Sequence, residues 1–271
     1  MRLVPILVYH SVSEEPSRLM RPFTVTPQTF RCQLALVAES GAATVAIGEF
    51  LRLREAGMLP DRPAVITFDD GFADFADWAL PALEARGLAS TLYVTTGFLD
   101  GRAEHPAQAR PPDRMLHWSQ LRELVARGVE IGAHSHTHPH LDTLSTSAAR
   151  VEIDRCKALL EDELERHIET FAYPHGYSSP AVRRLVRDAG YHSACAVGNT
   201  FSSTDDDRFA LARLTVRNST TLDEISAWLL GVGAPPPRTG ESLRTRIWRL
   251  LRRARAAAGA VPARTSADGG A

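Results

Sequence analysis

His134 and His138 stand four apart in the segment IGAHSHTHPHL, and Asp69 and Asp70 stand side by side in AVITFDDGF, each cluster beginning where an apolar run stops. Two imidazoles and one carboxylate suit a borderline divalent ion such as Zn²⁺, and three protein ligands leave a coordination position open to water. Water held there has a lowered pKa and is a nucleophile at neutral pH. The second carboxylate is then spare for proton transfer. Taken singly, an Asp-Asp pair before Gly reads as a turn and a His-rich stretch as a solvated loop. Their joint placement after apolar runs is what points to a site.

The elements that must hold these groups alternate along the chain. Residues 5–9, 43–47, 64–68, 90–95, 129–133, 170–173, 192–197 and 209–216 read as strands. A helix opens at Thr26-Pro27, with Phe30, Leu34 and Val37 at helical spacing and Gly41 as its stop. Others run to Ala56, through Trp78, Leu80 and Leu83 to Gly87, over 119–127, over 147–166 and over 180–189. Thr221 and Glu224 form a capping box that opens another. Strict alternation with short connections predicts right-handed crossovers and a mostly parallel sheet, open or closed into a barrel. His10, Asp69-Asp70, His134/His138 and the Pro174-His175-Gly176 turn each follow a different strand. In a barrel all four meet at the C-terminal face, whereas an open sheet spreads them along one edge, so the barrel is favoured.

Length and composition set wider bounds. With 271 residues, 44% of them hydrophobic, the chain is long enough for one large α/β domain with a tail. A net charge of −1 excludes a general nucleic-acid partner. Cys32, Cys156 and Cys195 are odd in number and widely separated, and read as buried free thiols. MRLVPILVYHSVS is too short an apolar run for a secretory core, and no stretch is long enough to span a membrane. The expected location is cytoplasmic. From Gly233 the composition changes, which divides the chain into a catalytic domain over 1–232 and a tail over 233–271. The tail's Pro run reads as a linker, and residues 243–258 as a basic helix with Ile247, Leu250 and Leu251 on one side. That helix is expected to pack loosely on the domain, with weak peripheral contact to a membrane surface as the alternative. The last dozen residues read as disordered.

At its two polar motifs the chain resembles the polysaccharide deacetylases, the NodB-homology or carbohydrate esterase family 4 group: Thr67-Phe68-Asp69-Asp70-Gly71 matches the first family motif and His134-Ser135-His136-Thr137-His138-Pro139 the second. The opening LVYHSVS is similar to the circularly permuted poly-N-acetylglucosamine deacetylases, and the resemblance covers roughly residues 3 to 230. It implies a distorted (β/α)₇ barrel and metal-dependent removal of N-acetyl groups from an amino-sugar polysaccharide or glycoconjugate. On the matching positions Asp70, His134 and His138 hold one divalent ion, Zn²⁺ being the first expectation, and Asp69 is the general base.

The chain departs from the family pattern twice. Members carry an Arg-x-Pro-Tyr motif where this chain has Phe171-Ala-Tyr-Pro-His-Gly176, so no Arg stands there to orient the base, and Arg213 or Arg217 is left to replace it. The backbone N–H of His175 still suits an oxyanion, with Tyr173, Pro174 and Trp118 as further substrate contacts. The Leu-x-His motif that supplies the general acid is also absent. In the permuted group that acid lies in a Tyr-His pair near the start, which Tyr9-His10 fits. Amide cleavage expels an amine that must be protonated, so His10 is the first candidate, ahead of His136, His140 and His175. Two alternatives stay open, a carbohydrate-binding protein with a degenerate site and a metal amidase acting on a small amide.

Overall fold

The computed structural model describes residues 2–101, 111, 113–236 and 243–257; residues 237–242 of the expected linker and the end expected to be disordered lie outside them. In chain order the elements are β1 (Leu3–Val4), β2 (Ile6–Tyr9), β3 (Ser11–Val12), β4 (Thr24–Val25), α1 (Pro27–Glu39), β5 (Ala43–Thr44), α2 (Ile47–Glu55) and β6 (Pro63–Phe68). There follow α3 (Leu80–Glu84), β7 (Thr91–Val94), α4 (Trp118–Ala126), β8 (Glu130–Ala133), α5 (Thr146–Leu164), β9 (Thr170–Ala172) and α6 (Pro180–Asp188). The chain continues through β10 (Ser193–Cys195), β11 (Ser202–Ser203), β12 (Leu214–Thr215), α7 (Leu222–Leu229) and α8 (Leu243–Ala257).

The main sheet runs β10-β9-β8-β7-β6-β2-β12, with β5 also paired to β6, and every pair in it is parallel. Its two ends meet. Leu211 makes a parallel bridge with Cys195 and donates its N–H to the Ala194 carbonyl at 3.1 Å, while the Ala196 N–H returns to Leu211 at 2.8 Å. The stretch read as one strand over 209–216 therefore divides its pairing, its first half against β10 and β12 against β2. The sheet so curled is the expected distorted barrel.

Alternation along β6 sorts the residues. Ala64, Ile66 and Phe68 join the large core beneath the helices, whereas Val65 packs in the barrel interior with Ile6, Tyr93, Cys195 and Leu211. Thr67 and Asp69 share the parity of Val65, so the period of two directs Asp69 inward.

Local departures from expectation have local causes. The strand expected over 43–47 stops at Thr44 because helix α2 begins at Ile47, whose N–H donates to Thr91 Oγ1 at 3.0 Å while that of Gly48 donates to Glu130 Oε1 at 2.9 Å. The helix through Trp78 opens as a wide π turn over Phe75–Ala79, and Pro81 has no N–H with which to continue an ordinary ladder there. Cys156 and Cys195 are buried as expected, but Cys32 faces solvent on the outer side of α1. The capping box at Thr221 forms with both arms, Glu224 N–H to Thr221 Oγ1 at 3.1 Å and Thr221 N–H to Glu224 Oε2 at 2.8 Å.

Helix α8 is docked more firmly than a loose solvated helix would be. Arg252 is buried, donates to Asp142 at 2.5 Å and lies over the Tyr177 ring at 3.8 Å, and Arg253 Nε donates to the Asp142 carbonyl at 2.7 Å. A short apolar stripe gave no hint of this, because the docking face is the charged one. Among the described residues no helix is long and apolar enough to cross a membrane.

Candidate active site

Register brings the candidate residues to one level. Tyr9 pairs with Phe68, and Asp69 donates its N–H to the Tyr9 carbonyl at 3.0 Å, so His10 and Asp69 leave neighbouring strands side by side. Val94 pairs with Ala133, and the His134 N–H donates to the Val94 carbonyl at 2.9 Å. All four expected clusters lie at C-terminal strand ends. Beneath the Asp pair Phe68 packs on Tyr9, Phe30 and Phe75 with ring centroids 5.4, 5.9 and 4.8 Å apart, a rigid platform for the turn above.

Asp70 and Gly71 adopt φ of 76° and 88°, which turns the chain sharply and aims the second carboxylate away from the first. Ser135, His138 and His175 also take positive φ, at 62°, 59° and 57°. Four strained non-glycine residues at one end of the barrel are a functional signature. Pro139 does keep His138 out of the right-handed helical region, but into the left-handed one instead of an extended one.

Asp70 Oδ1 lies 3.4 Å from His134 Nε2 and 3.3 Å from His138 Nε2, and the two Nε2 atoms are 3.2 Å apart. A tetrahedral Zn²⁺ with bonds of about 2.0–2.1 Å holds its donors about 3.3 Å from one another, so this triangle fits such an ion. His134 Nδ1 lies 2.8 Å from the Ala172 carbonyl, to which it donates, leaving Nε2 with its lone pair toward the triangle. Glu152 on α5 accepts from the Thr137 N–H at 2.7 Å and from its hydroxyl at 2.5 Å, fixing the loop between the two histidines. Burial pushes the Asp70 carboxyl upward, but His138 and the hydrogen bonds from His134 and His138 outweigh it and hold Asp70 well below the usual carboxylate range.

Asp69 is gripped from below. Arg213 Nη1 and Nη2 donate to its two oxygens at 2.7 Å each, with Nη1 also 3.2 Å from Thr67 Oγ1, and both partners are buried. Leu214 is level with Leu7, so Arg213 starts lower in the barrel and its long side chain rises through the interior past Tyr93. Burial works against the Asp69 charge, yet Arg213 and then His134 overcome it and lower the carboxyl below its ordinary range. Asp69 Oδ2 remains 3.8 Å from His134 Nε2, beside the triangle but not one of its corners. Of the two arginines left open by the sequence, Arg213 is the one that pairs with Asp69; Arg217 stacks on Phe23 instead. A lone charge in the apolar run 209–216 was the available signal.

His10 lies 5.3 Å from the Phe23 ring, with its Nδ1 buried and unpaired. Burial lowers its pKa first, and Asp70 and Asp69 act in the opposite direction. The next residues of its segment are held by Asp74, which accepts from Ser11 Oγ at 2.5 Å and from the Val12 N–H at 3.2 Å. His175 stacks on His140 at 3.9 Å and approaches His138 at 4.5 Å. His136 is tied to Thr96 Oγ1 at 2.9 Å. Tyr173 is buried and donates to the Phe209 carbonyl at 3.0 Å, so its hydroxyl supports the Pro174 turn from below. Trp118 opens α4 half-buried on the core, its backbone N–H donating to Asp100 Oδ1 at 3.3 Å. The structure brings Asp69, Asp70, His134, His138 and His175 together and ties the Tyr173 hydroxyl to the Phe209 carbonyl.

Known proteins share the fold and the family. The chain is 23% identical over 223 residues to the poly-beta-1,6-N-acetyl-D-glucosamine N-deacetylase of Staphylococcus epidermidis, covering 78% of this chain and 74% of that protein. Its fold is similar to that of the Streptococcus pyogenes deacetylase PplD, solved with acetate, at a TM-score of 0.73 and 22% identity, over 83% of this chain and 96% of that one. It is similar also to IcaB from Ammonifex degensii, at a TM-score of 0.71 and 22% identity, over 84% and 97% of the two chains. The polysaccharide deacetylase family model matches residues 56–194, the stretch that carries both polar motifs and the strands that aim them, and the chain belongs to that family.

Proposed function

We propose that this protein hydrolyses N-acetyl groups from an amino-sugar polysaccharide or glycoconjugate, with a divalent ion, Zn²⁺ first, held by Asp70, His134 and His138. The observation that carries the reading is the ligand triangle with Asp69 locked beside it by Arg213. When bound, the ion supplies Lewis-acid polarisation of the acetyl carbonyl and a water acidic enough for a weak base to deprotonate. Asp69 stays ionised because Arg213 pairs both its oxygens, and it takes the proton of the attacking water. His10 gives a proton to the departing nitrogen, which leaves as a free amine while the acetyl group leaves as acetate. The backbone N–H of His175, in its left-handed turn, faces the carbonyl oxygen. Catalysis resides in residues 1–232, and residues 233–271 are an appendage.

Similarity to the Staphylococcus epidermidis enzyme supports β-1,6-linked N-acetylglucosamine as the first substrate to try. The missing Arg-x-Pro-Tyr arginine suggested a degenerate binding site, but Arg213 fills that role from another strand. The test is acetate release from acetylated β-1,6-linked glucosamine oligomers, chito-oligosaccharides and small linear amides, each with and without chelator. Release from an acetylated sugar that chelator abolishes is expected. Release from the small amides alone, or release indifferent to chelator, would overturn the reading.

A further inference from the structure

Helix α8 is mounted the wrong way round for a soluble amphipathic helix. Such a helix buries its apolar stripe and shows its charges to water. Here Arg249, Arg252 and Arg253 face the domain around Asp142, while Ile247, Leu250 and Leu251 are 52%, 64% and 47% exposed. Positions 247, 250, 251 and 254 recur at helical spacing, so these side chains and Ala254 form one continuous outer strip. Single exposed apolar residues need no explanation, but a contiguous strip marks a surface that something covers.

Charge names the occupant. Leu243–Ala257 contains six arginines and no acidic residue, and the docking face meets one buried carboxylate, Asp142, so the helix keeps a positive excess around its apolar strip. An apolar strip on a helix with this excess of positive charge suits the boundary of an anionic bilayer, where the strip enters the acyl region and the charge of the helix is drawn to phosphate. We infer that the outer face of α8 binds an anionic phospholipid surface. The helix rests on the turns that follow His138 and His175, through Asp142 and Tyr177 respectively, so docking by that face presents this side of the barrel mouth to the membrane.

The test is co-sedimentation of the full chain with vesicles of phosphatidylcholine alone and of phosphatidylcholine mixed with phosphatidylglycerol. Binding to the mixed vesicles only, weakening with salt, is expected, since each arginine near an anionic surface contributes about fivefold in affinity. The triple variant Ile247→Glu/Leu250→Glu/Leu251→Glu should lose at least about tenfold per side chain withdrawn from lipid. Its melting temperature and its acetate release from soluble substrate should match wild type, because the three side chains are about half exposed or more and none belongs to the site. Failure to bind the mixed vesicles, or undiminished binding by the triple variant, would overturn the inference. So would a stable dimer in lipid-free solution that the triple variant abolishes, since the strip would then be the seat of a second copy.

Discussion

Two adjacent carboxylates acquire different partners from a change in backbone hand between them. Asp69 follows the strand's alternation into the barrel and meets Arg213, whereas Asp70 at φ 76° turns out to the two histidines. His134→Ala, His138→Ala and Asp70→Asn should therefore each lose most of the bound metal, measured by elemental analysis. Asp69→Asn should keep the metal and lose turnover by roughly 10²–10⁴-fold, since an amide accepts no proton. Arg213→Lys retains a positive charge but not the two-pronged grip. The Asp69 carboxyl should rise toward its ordinary range in that variant, moving the acid limb of the kcat/KM profile to higher pH; an unmoved limb would show that Arg213 does not set the base. His10→Ala should lower amide turnover by roughly 10²–10⁴-fold and spare activated aryl acetates, whose phenolate leaves unprotonated. Burial pulls His10 below its ordinary pKa, so the protonated acid is lost early as pH rises. The alkaline limb of the wild-type rate should lie on the low side and vanish in the variant.

Single elements carry the site through their ends. The turn after β6 holds the segment after β2 by way of Asp74, whose carboxyl burial raises from 3.8 to about 7 despite hydrogen bonds from Ser11 and Val12. The native state then binds this proton more tightly than the unfolded chain. Stability from it is full below the unfolded value and is lost as pH rises toward the folded value of about 7. Asp74→Asn keeps an oxygen for both donors and carries no charge to bury. Its melting temperature relative to wild type should climb between pH 4 and pH 8, the shift from 3.8 to about 7 corresponding to at most about 4 kcal/mol. A pH-independent difference would show that Asp74 stays solvated. Strain is local too: Gly176 adopts φ 74°, and a Cβ there would lie 2.3 Å from Val197 Cβ, so the His175 turn depends on glycine.

At the scale of the whole molecule, a buried pair, Asp142 with Arg252, anchors helix α8 to the barrel beside the contacts of Arg249 and Arg253. Arg252→Met leaves the buried Asp142 with Arg249, 3.9 Å away, as its remaining cation, a weaker pairing that costs at most about 3–5 kcal/mol when nothing relaxes. The helix has an easier response, which is to undock and let water reach Asp142. Hydrogen exchange across Leu243–Ala257 should therefore accelerate strongly in Arg252→Met, while the barrel strands exchange as before. Unchanged protection of the helix would mean that its docking rests on other contacts. Closure of the barrel is the other global feature. The run 209–216 pairs first with β10 and then with β2, and Arg213 stands at the changeover with its side chain directed up the interior.

Sequence alone determined what depends on local spacing. Alternation of apolar runs and helical stripes specified a mostly parallel sheet, open or closed, and the placement of His10, Asp69-Asp70, His134/His138 and the His175 turn after different strands favoured closing it into a barrel with them at one end. Thr26-Pro27 and the Thr221–Glu224 box marked helix starts because caps are satisfied within a turn. Tertiary structure decided what depends on distance through space. Arg213 is 144 residues from Asp69, and only barrel closure brings its guanidinium under the carboxylate. Asp142 and Arg252 are 110 residues apart, and their pairing turned the apolar strip of α8 outward, against the pattern by which a helix is ordinarily read. Spacing encodes which residues share a face; which partner that face meets is set by the packing of the whole chain.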